Sequence, residues 1–164
     1  NATSIIQSIL NLTHMKEPEL KKLDIKSVIA ESIAISKIPD SVKLIQDDAV
    51  EQVLEYIDKE QMKIAFKNII RNAVEAMNGE GSLKINVRGL PDNKIEIRFS
   101  DTGPGIAAEN LDKIFQPLFT TKTEGIGFGL CITKMVIEKH GGTIKAESKP
   151  GSGATIVIQI PASK

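Results

Sequence analysis

Between Asp58 and Met77 the apolar residues recur at Met62, Ala65, Phe66, Ile69, Ile70, Ala73, Val74 and Met77, the three-and-four spacing of one helix face. Asp58 stands where an N-cap carboxylate can take the first free amides, with Gln61 at capping-box distance, and Gly79 and Gly81 stop the run. The pattern predicts a long helix. The period then changes to two, and Leu83 to Val87 and Ile95 to Phe99 read as paired strands around a turn at Pro91 to Asn93. Upstream, Ile25 to Ser36 is helical in period through Val28, Ile29 and Ile33, while Val42 to Ile45 and Val53 to Ile57 are strand candidates. Downstream come a short helix near Leu111 to Ile114, a second long helix from about Phe128 to His140, and a strand pair, Thr143 to Glu147 and Ala154 to Ile160, flanking a turn at Pro150 to Gly153. At the start, Ile5, Ile6, Ile9, Leu10 and Leu12 form a stripe within Ala2 to Met15 that ends before Lys16 to Pro18. Hairpins together with long helices predict an α+β fold: a two-layer α/β sandwich with a mixed sheet covered on one face by helices.

Composition narrows the function classes. With 164 residues, 41% of them hydrophobic, the chain fits one domain with a short appendage. Lys and Arg total 21 against 21 Asp and Glu, so no basic field exists to hold a nucleic-acid backbone, and nucleic acid is not expected as a partner. The single cysteine, Cys131, excludes a disulfide framework and multi-cysteine metal sites and suits a small buried hydrophobe in a cytoplasmic protein. No apolar run approaches the roughly 18 residues of a membrane span, so this segment is expected to make no direct membrane contact. The chain opens at Asn1, which leads us to expect a piece of a longer protein.

Four clusters carry candidate chemistry. Asn68 and Asn72, four residues apart on the long helix, place amide oxygens beside an apolar face, where they can serve a cation such as Mg²⁺ and phosphate oxygens. Asp101-Thr-Gly-Pro-Gly-Ile follows a strand; its two glycines allow close approach to a flat ligand, and its carboxylate can accept from an exocyclic amine. Gly125, Gly127 and Gly129 open a helix whose amides suit an anion, but the spacing is neither the dinucleotide fingerprint nor a Walker loop. Phe115 to Lys122 offers two anchoring phenylalanines with Thr121 and Lys122 in reach of phosphate. Taken singly, each cluster also reads as ordinary structure: solvated asparagines, a tight turn, a flexible loop, core phenylalanines.

Order changes this. The series NIIRNAVEAM, DTGPGI, IFQPLFTTK, GIGFGL and GSGATIVIQIP resembles the asparagine, first glycine, phenylalanine and second glycine boxes, and the closing strand, of the catalytic ATP-binding domain of sensor histidine kinases. That domain belongs to the GHKL superfamily with the Bergerat fold, shared with DNA gyrase and the mismatch-repair ATPases. The resemblance covers about Leu23 to Lys164 and implies ATP and Mg²⁺ as cofactors. It implies that Asn72 ligates Mg²⁺, that Asn68 lies near the phosphates, and that Asp101 recognises the adenine amino group. Gly103, Gly105 and Ile106 would shape the pocket floor, with Thr155 supporting adenine through water. Thr121, Lys122, Gly125, Gly127, Gly129 and Leu130 would belong to a short ATP lid and its hinge. Residues 1–16 resemble the end of the second helix of the dimerisation and histidine-phosphotransfer domain, residues 17–22 a linker, and residues 23–164 the catalytic domain.

The implied activity is transfer of the ATP γ-phosphoryl group to a histidine on an upstream helix outside this chain, with a response regulator receiver domain as the further partner. Neither His14 nor His140 is expected to be the acceptor: His14 lacks a following acidic residue, and His140 sits comfortably at a helix end before Gly141 and Gly142. No catalytic residue is assigned within the chain, which is expected to bind ATP without autokinase activity of its own. Two departures matter. Hydrolysing members carry a glutamate where this chain has Asn68, an amide that cannot act as a base, and many kinases carry a lysine where it has Glu75. The wrong sign at Glu75 leads to the expectation that Lys122 supplies the phosphate-facing cation. Phe128, where leucine is usual in the family, should alter only packing at the lid hinge. A GHKL-type ATPase or serine kinase module is the alternative reading, and a non-enzymatic docking module a third.

Overall fold

The computed structural model describes residues 15–46, 52–117, 119 and 129–162. The predicted N-terminal helix up to His14, and the lid residues Thr121, Lys122, Gly125, Gly127 and Phe128, lie outside the described residues, and Met15, its predicted last residue, is not helical. Strand β1 (Lys21–Asp24) leads directly into helix α1 (Ile25–Ser36). Asp24 makes that junction: its Oδ1 accepts from the amides of Lys26 at 3.1 Å and Val53 at 3.0 Å, and its Oδ2 accepts from the Ser27 hydroxyl at 3.0 Å. Strand β2 (Val42–Gln46), strand β3 (Leu54–Ile57) and the long helix α2 (Lys59–Ala76) follow. Strands β4 (Gly81–Leu90) and β5 (Lys94–Asp101) form the predicted hairpin, with Asn93 at φ 60° in its turn. The helix expected near Leu111 is instead two single 3₁₀ turns, Ala108–Asn110 and Lys113–Phe115. Helix α3 (Gly129–Lys139) and the hairpin of β6 (Thr143–Ser148) and β7 (Ala154–Pro161) complete the chain.

The main sheet has the order β2-β4-β5-β7-β6. It is mixed as predicted: β2 runs parallel to β4, and the other neighbours are antiparallel. The small sheet of β1 and β3 was not foreseen, and β1 begins within the stretch read as a linker. One face of the main sheet presents Leu83, Ile85, Ile97, Phe99 and Ile158 to Phe66, Ile69 and Ile70 of α2, Val28 and Ile29 of α1, and Val136 and Ile137 of α3. Phe66 and Phe99 meet with ring centroids 5.7 Å apart. The opposite face has charge where a second helical layer would stand. Glu96, 4% exposed, accepts from Arg88 at 2.8 Å and from Gln159 at 3.3 Å, and Arg98 reaches Glu147 at 2.7 Å. Burial pushes the Glu96 carboxyl up, but Gln159, Arg88 and Arg98 together hold it below the usual carboxylate range. No helix among the described residues is long and apolar enough to cross a membrane.

Candidate functional site

Asp101 is the last residue of β5, so its side chain emerges where the strand leaves the sheet. Its Oδ1 accepts two backbone amides, Gly103 at 2.9 Å and Ala154 at 3.2 Å. Both bonds fall on the same oxygen, and Oδ2 takes neither. Partial burial raises the carboxyl above its ordinary value, with the two amides pulling the other way. Beside it, the Ser100 and Thr155 hydroxyls meet at 2.9 Å across the β5–β7 ladder, where the two residues are register partners.

The loop after Asp101 is held on two sides. Gly103 lies against helix α2, where a Cβ would come within 3.2 Å of the Ala76 carbonyl oxygen and 3.1 Å of Asp101 Oδ1. Gly105, at φ +82°, lies against the β6–β7 turn, where a Cβ would stand 2.5 Å from the Lys149 carbonyl oxygen. The turn answers with its own bonds: the Gly151 amide donates to the Pro104 carbonyl at 2.6 Å, and the Ile106 amide donates to Ser148 Oγ at 2.7 Å. Thr102 Oγ1 accepts from the Ser82 amide at 3.0 Å and contacts the Met77 sulfur at 3.5 Å. Bonds from β4 and the β6–β7 turn and close packing against the end of α2 therefore all converge on this loop.

On α2, Asn68 and Asn72 are half-buried beside buried Ile69 and Ala73. Asn68 Nδ2 donates to the Gly129 carbonyl at 3.1 Å, the same oxygen that takes the Thr133 hydroxyl at 2.9 Å. Asn68 thus ties α2 to the first residue of α3. A Cβ on Gly129 would meet the Asn68 side chain, Cγ nearest at 3.7 Å, which is ordinary contact. Leu130 packs against the core. Along α2, Asn68 touches Gly129 and Ala76 touches Gly103, and Asn72 lies midway, one helical turn from each. The asparagine cluster, the loop after Asp101 and, of the glycine cluster, Gly129 therefore meet along one ridge of α2; of the fourth cluster Phe115 is buried, and Gly125, Gly127, Thr121 and Lys122 lie outside the described residues.

Ser148, Gly153 and Ser100 were missed as site residues. Gly153 stood in the closing GSGATIVIQIP motif and beside the turn at Pro150 to Gly153, but neither signal placed it or the two serines beside Asp101. Gly153, at φ +79°, would bring a Cβ within 2.1 Å of the Asp101 carbonyl oxygen. Far from the loop, His140 accepts the Asp58 amide on Nε2 at 3.0 Å, so Nδ1 carries the hydrogen donated to the Val136 carbonyl at 2.8 Å. Burial holds this imidazole below its ordinary value, and it serves as a neutral brace between α3 and the start of α2. Cys131 is buried, and its thiol is pushed up, as in an inert core position.

Residues 57–164 match the family described as histidine kinase-, DNA gyrase B- and HSP90-like ATPase. Among curated relatives, the sensor histidine kinase ZraS of Klebsiella oxytoca is 30% identical over 96% of this chain and 35% of its own length. TmoS of Ectopseudomonas mendocina, also a sensor histidine kinase, is 32% identical over 99% of this chain and 18% of its own length. The chain thus spans 35% and 18% of these two relatives. Among solved structures, the nucleotide-free catalytic domain of the histidine kinase ThkA superposes with a TM-score of 0.76 at 30% identity, covering 87% of this chain and 95% of that one. ThkA in complex with the response regulator TrrA superposes with a TM-score of 0.83 at 26% identity, over 99% of this chain and 47% of that one. The mixed sheet under three helices, the asparagine ridge of α2 and the half-used carboxylate at the end of β5 belong together, and the chain is a member of the histidine kinase-, DNA gyrase B- and HSP90-like ATPase family, in its sensor histidine kinase branch.

Proposed function

We propose that this chain binds the adenine of ATP through Asp101 Oδ2 and delivers the γ-phosphoryl group to a histidine on a helix upstream of it. The observation that carries the reading is the division of labour at Asp101: among the described residues Oδ1 takes both bonded amides, Gly103 and Ala154, which leaves the other oxygen of a half-buried carboxylate for a donor from outside. Gly103, Gly105 and Ile106 form the floor, and Thr155, already bonded to Ser100, takes part in a water-bridged contact to the purine. Asn68 and Asn72 face the phosphates, and Gly129 and Leu130 form the far hinge of a lid containing Thr121, Lys122, Gly125 and Gly127.

The donor set suits Mg²⁺. Among the described residues no three His, Cys, Asp or Glu side chains gather, and the Asn72 amide oxygen is a hard ligand of the kind that completes a shell made mostly of water and phosphate oxygens. When bound, the ion would offset the charge that builds on the phosphates during transfer. The protein's own part is positioning: Asp101 fixes the base, the α2 ridge fixes the phosphates, and the amides at the start of α3 face the anion. At the place of a hydrolytic base stands Asn68, whose Nδ2 is already donated to Gly129, so transfer is favoured over hydrolysis. Residues 1–16 are assigned to the phosphotransfer helix and 23–164 to the catalytic domain, with a response regulator receiver as the downstream partner.

The test is labelling from γ-labelled ATP, comparing this chain with a longer form that restores the upstream helices. An acid-labile, base-stable label on the longer form alone is expected. Continuous phosphate release from the chain with no label on either form would establish the ATPase reading instead. Lys122→Ala should lower the transfer rate; an unchanged rate and affinity would remove Lys122 from the phosphate site.

A further inference from the structure

From this geometry we infer that Ser148, at the end of β6, is a positioning residue that decides which oxygen of Asp101 faces the nucleotide, an inference that rests on the adenine-binding reading of Asp101. The Ser148 hydroxyl does two things at once. It accepts the Ile106 amide at 2.7 Å and donates to the Gly153 carbonyl at 2.7 Å. The Gly153 carbonyl and the Ala154 amide belong to one planar peptide unit. Holding that carbonyl turns the Ala154 N–H on the other side of the same plane toward Asp101 Oδ1, which it reaches at 3.2 Å. Ser148 is also the register partner of Ala154, so the strand ladder fixes the distance over which the hydroxyl acts.

The surroundings leave the peptide little room to choose otherwise. Gly153 has φ +79° and leaves no room for a Cβ beside the Asp101 carbonyl, and at Gly105, with φ +82°, a Cβ would stand 2.9 Å from the Ser148 hydroxyl. One side chain therefore couples the pocket floor at Ile106 to the peptide that occupies Asp101 Oδ1. Without the hydroxyl, the Gly153 carbonyl loses the bond that sets its tilt, the Ala154 N–H bond to Oδ1 is weakened, and the direction in which the other carboxylate oxygen points is less firmly fixed. The effect should fall on recognition of the purine 6-amino group, since the phosphate contacts on α2 do not depend on Ser148.

The experiment is titration of the chain with ADP and with purine riboside diphosphate, which lacks the 6-amino group, alongside thermal unfolding. The native chain should prefer ADP by about 10- to 100-fold, the ratio expected for a hydrogen bond to a charged acceptor. Ser148→Ala should bring that ratio to within about threefold while binding of the deaminated analogue changes little, and Ser148→Thr, which keeps the hydroxyl, should restore it. If Ser148→Ala does not fold, Ser148→Cys keeps the shape and weakens both bonds, and it is read by the same ratio. An unchanged ratio, or equal loss of both affinities in step with a lower Tm, would overturn the positioning role alone. A native chain that binds ADP no better than the analogue would overturn the role of Asp101, and this one with it.

Discussion

Asp58 directly follows β3 and Asp101 closes β5, and both accept backbone amides, yet they serve opposite purposes. Asp58 spends both oxygens on the protein: Oδ1 takes the Gln61 amide at 3.1 Å and Oδ2 takes the Glu19 amide at 2.9 Å. Asp101 places both of its amides on Oδ1. Asp24 resembles Asp58, with donors on both oxygens, and its bonds from Val53, Ser27 and Lys26 overcome burial and hold its carboxyl low, whereas partial burial leaves Asp101 high. A carboxylate saturated by its own chain is a cap or a brace; one that keeps an oxygen in a half-buried setting is able to recognise a ligand.

The contrast can be broken from either end. The largest effect belongs to Asp101→Asn, which keeps an acceptor for the two amides but presents an NH₂ group in place of the free oxygen. ADP affinity should fall by about 30- to 100-fold, roughly 2–3 kcal/mol, with unfolding nearly unchanged, as measured by calorimetric titration and thermal melts. Asp58→Ala should do the reverse: a stability loss of about 1–2 kcal/mol in urea unfolding, with ADP affinity held within about twofold. Loss of ADP binding without loss of stability in that variant would contradict the division drawn here.

The smallest effect sharpens the structural end. Burial holds the His140 imidazole below the ordinary 6.5, and its Nε2 accepts the Asp58 amide in the neutral form. Near that pH the unfolded chain binds more protons than the folded one, so this contribution to stability is present above pH 6.5 and is lost as pH falls through the folded value. Urea midpoints measured from pH 8 to pH 5 should decline for the native chain, and the slope between pH 7 and 5.5 should flatten in His140→Gln. An identical slope in both would remove His140 as its source.

Part of the Asp58 seam was legible and part was not. The N-cap followed from position, since an acidic residue before an apolar-periodic run meets free amides wherever the helix lies. The reciprocal half of the capping box did not form: the Gln61 amide group donates to the Lys16 carbonyl at 2.9 Å, and the Asp58 N–H goes to His140, 82 residues away. That exchange depends on where α3 ends in space. The long helices and both hairpins were likewise readable from period alone, because burial of one face imposes it. The β1–β3 pairing was not, because four-residue strands carry little period and their partner is chosen by tertiary contact.

What the amino-acid sequence determined was the set of local commitments: amphipathic faces, caps, turns, and an ordered series of motifs whose resemblance indicated the family. Tertiary structure alone decided how those motifs use their atoms. Asn68 became a tether to Gly129, Ser148 bonded the Gly153 carbonyl, and Asp101 took both of its amides on Oδ1. Residue type fixes how many hydrogen bonds a side chain is able to make, but which of them are already satisfied depends on groups brought together from as far as 53 residues away at Asp101 and 61 at Asn68, and only the folded chain sets those distances.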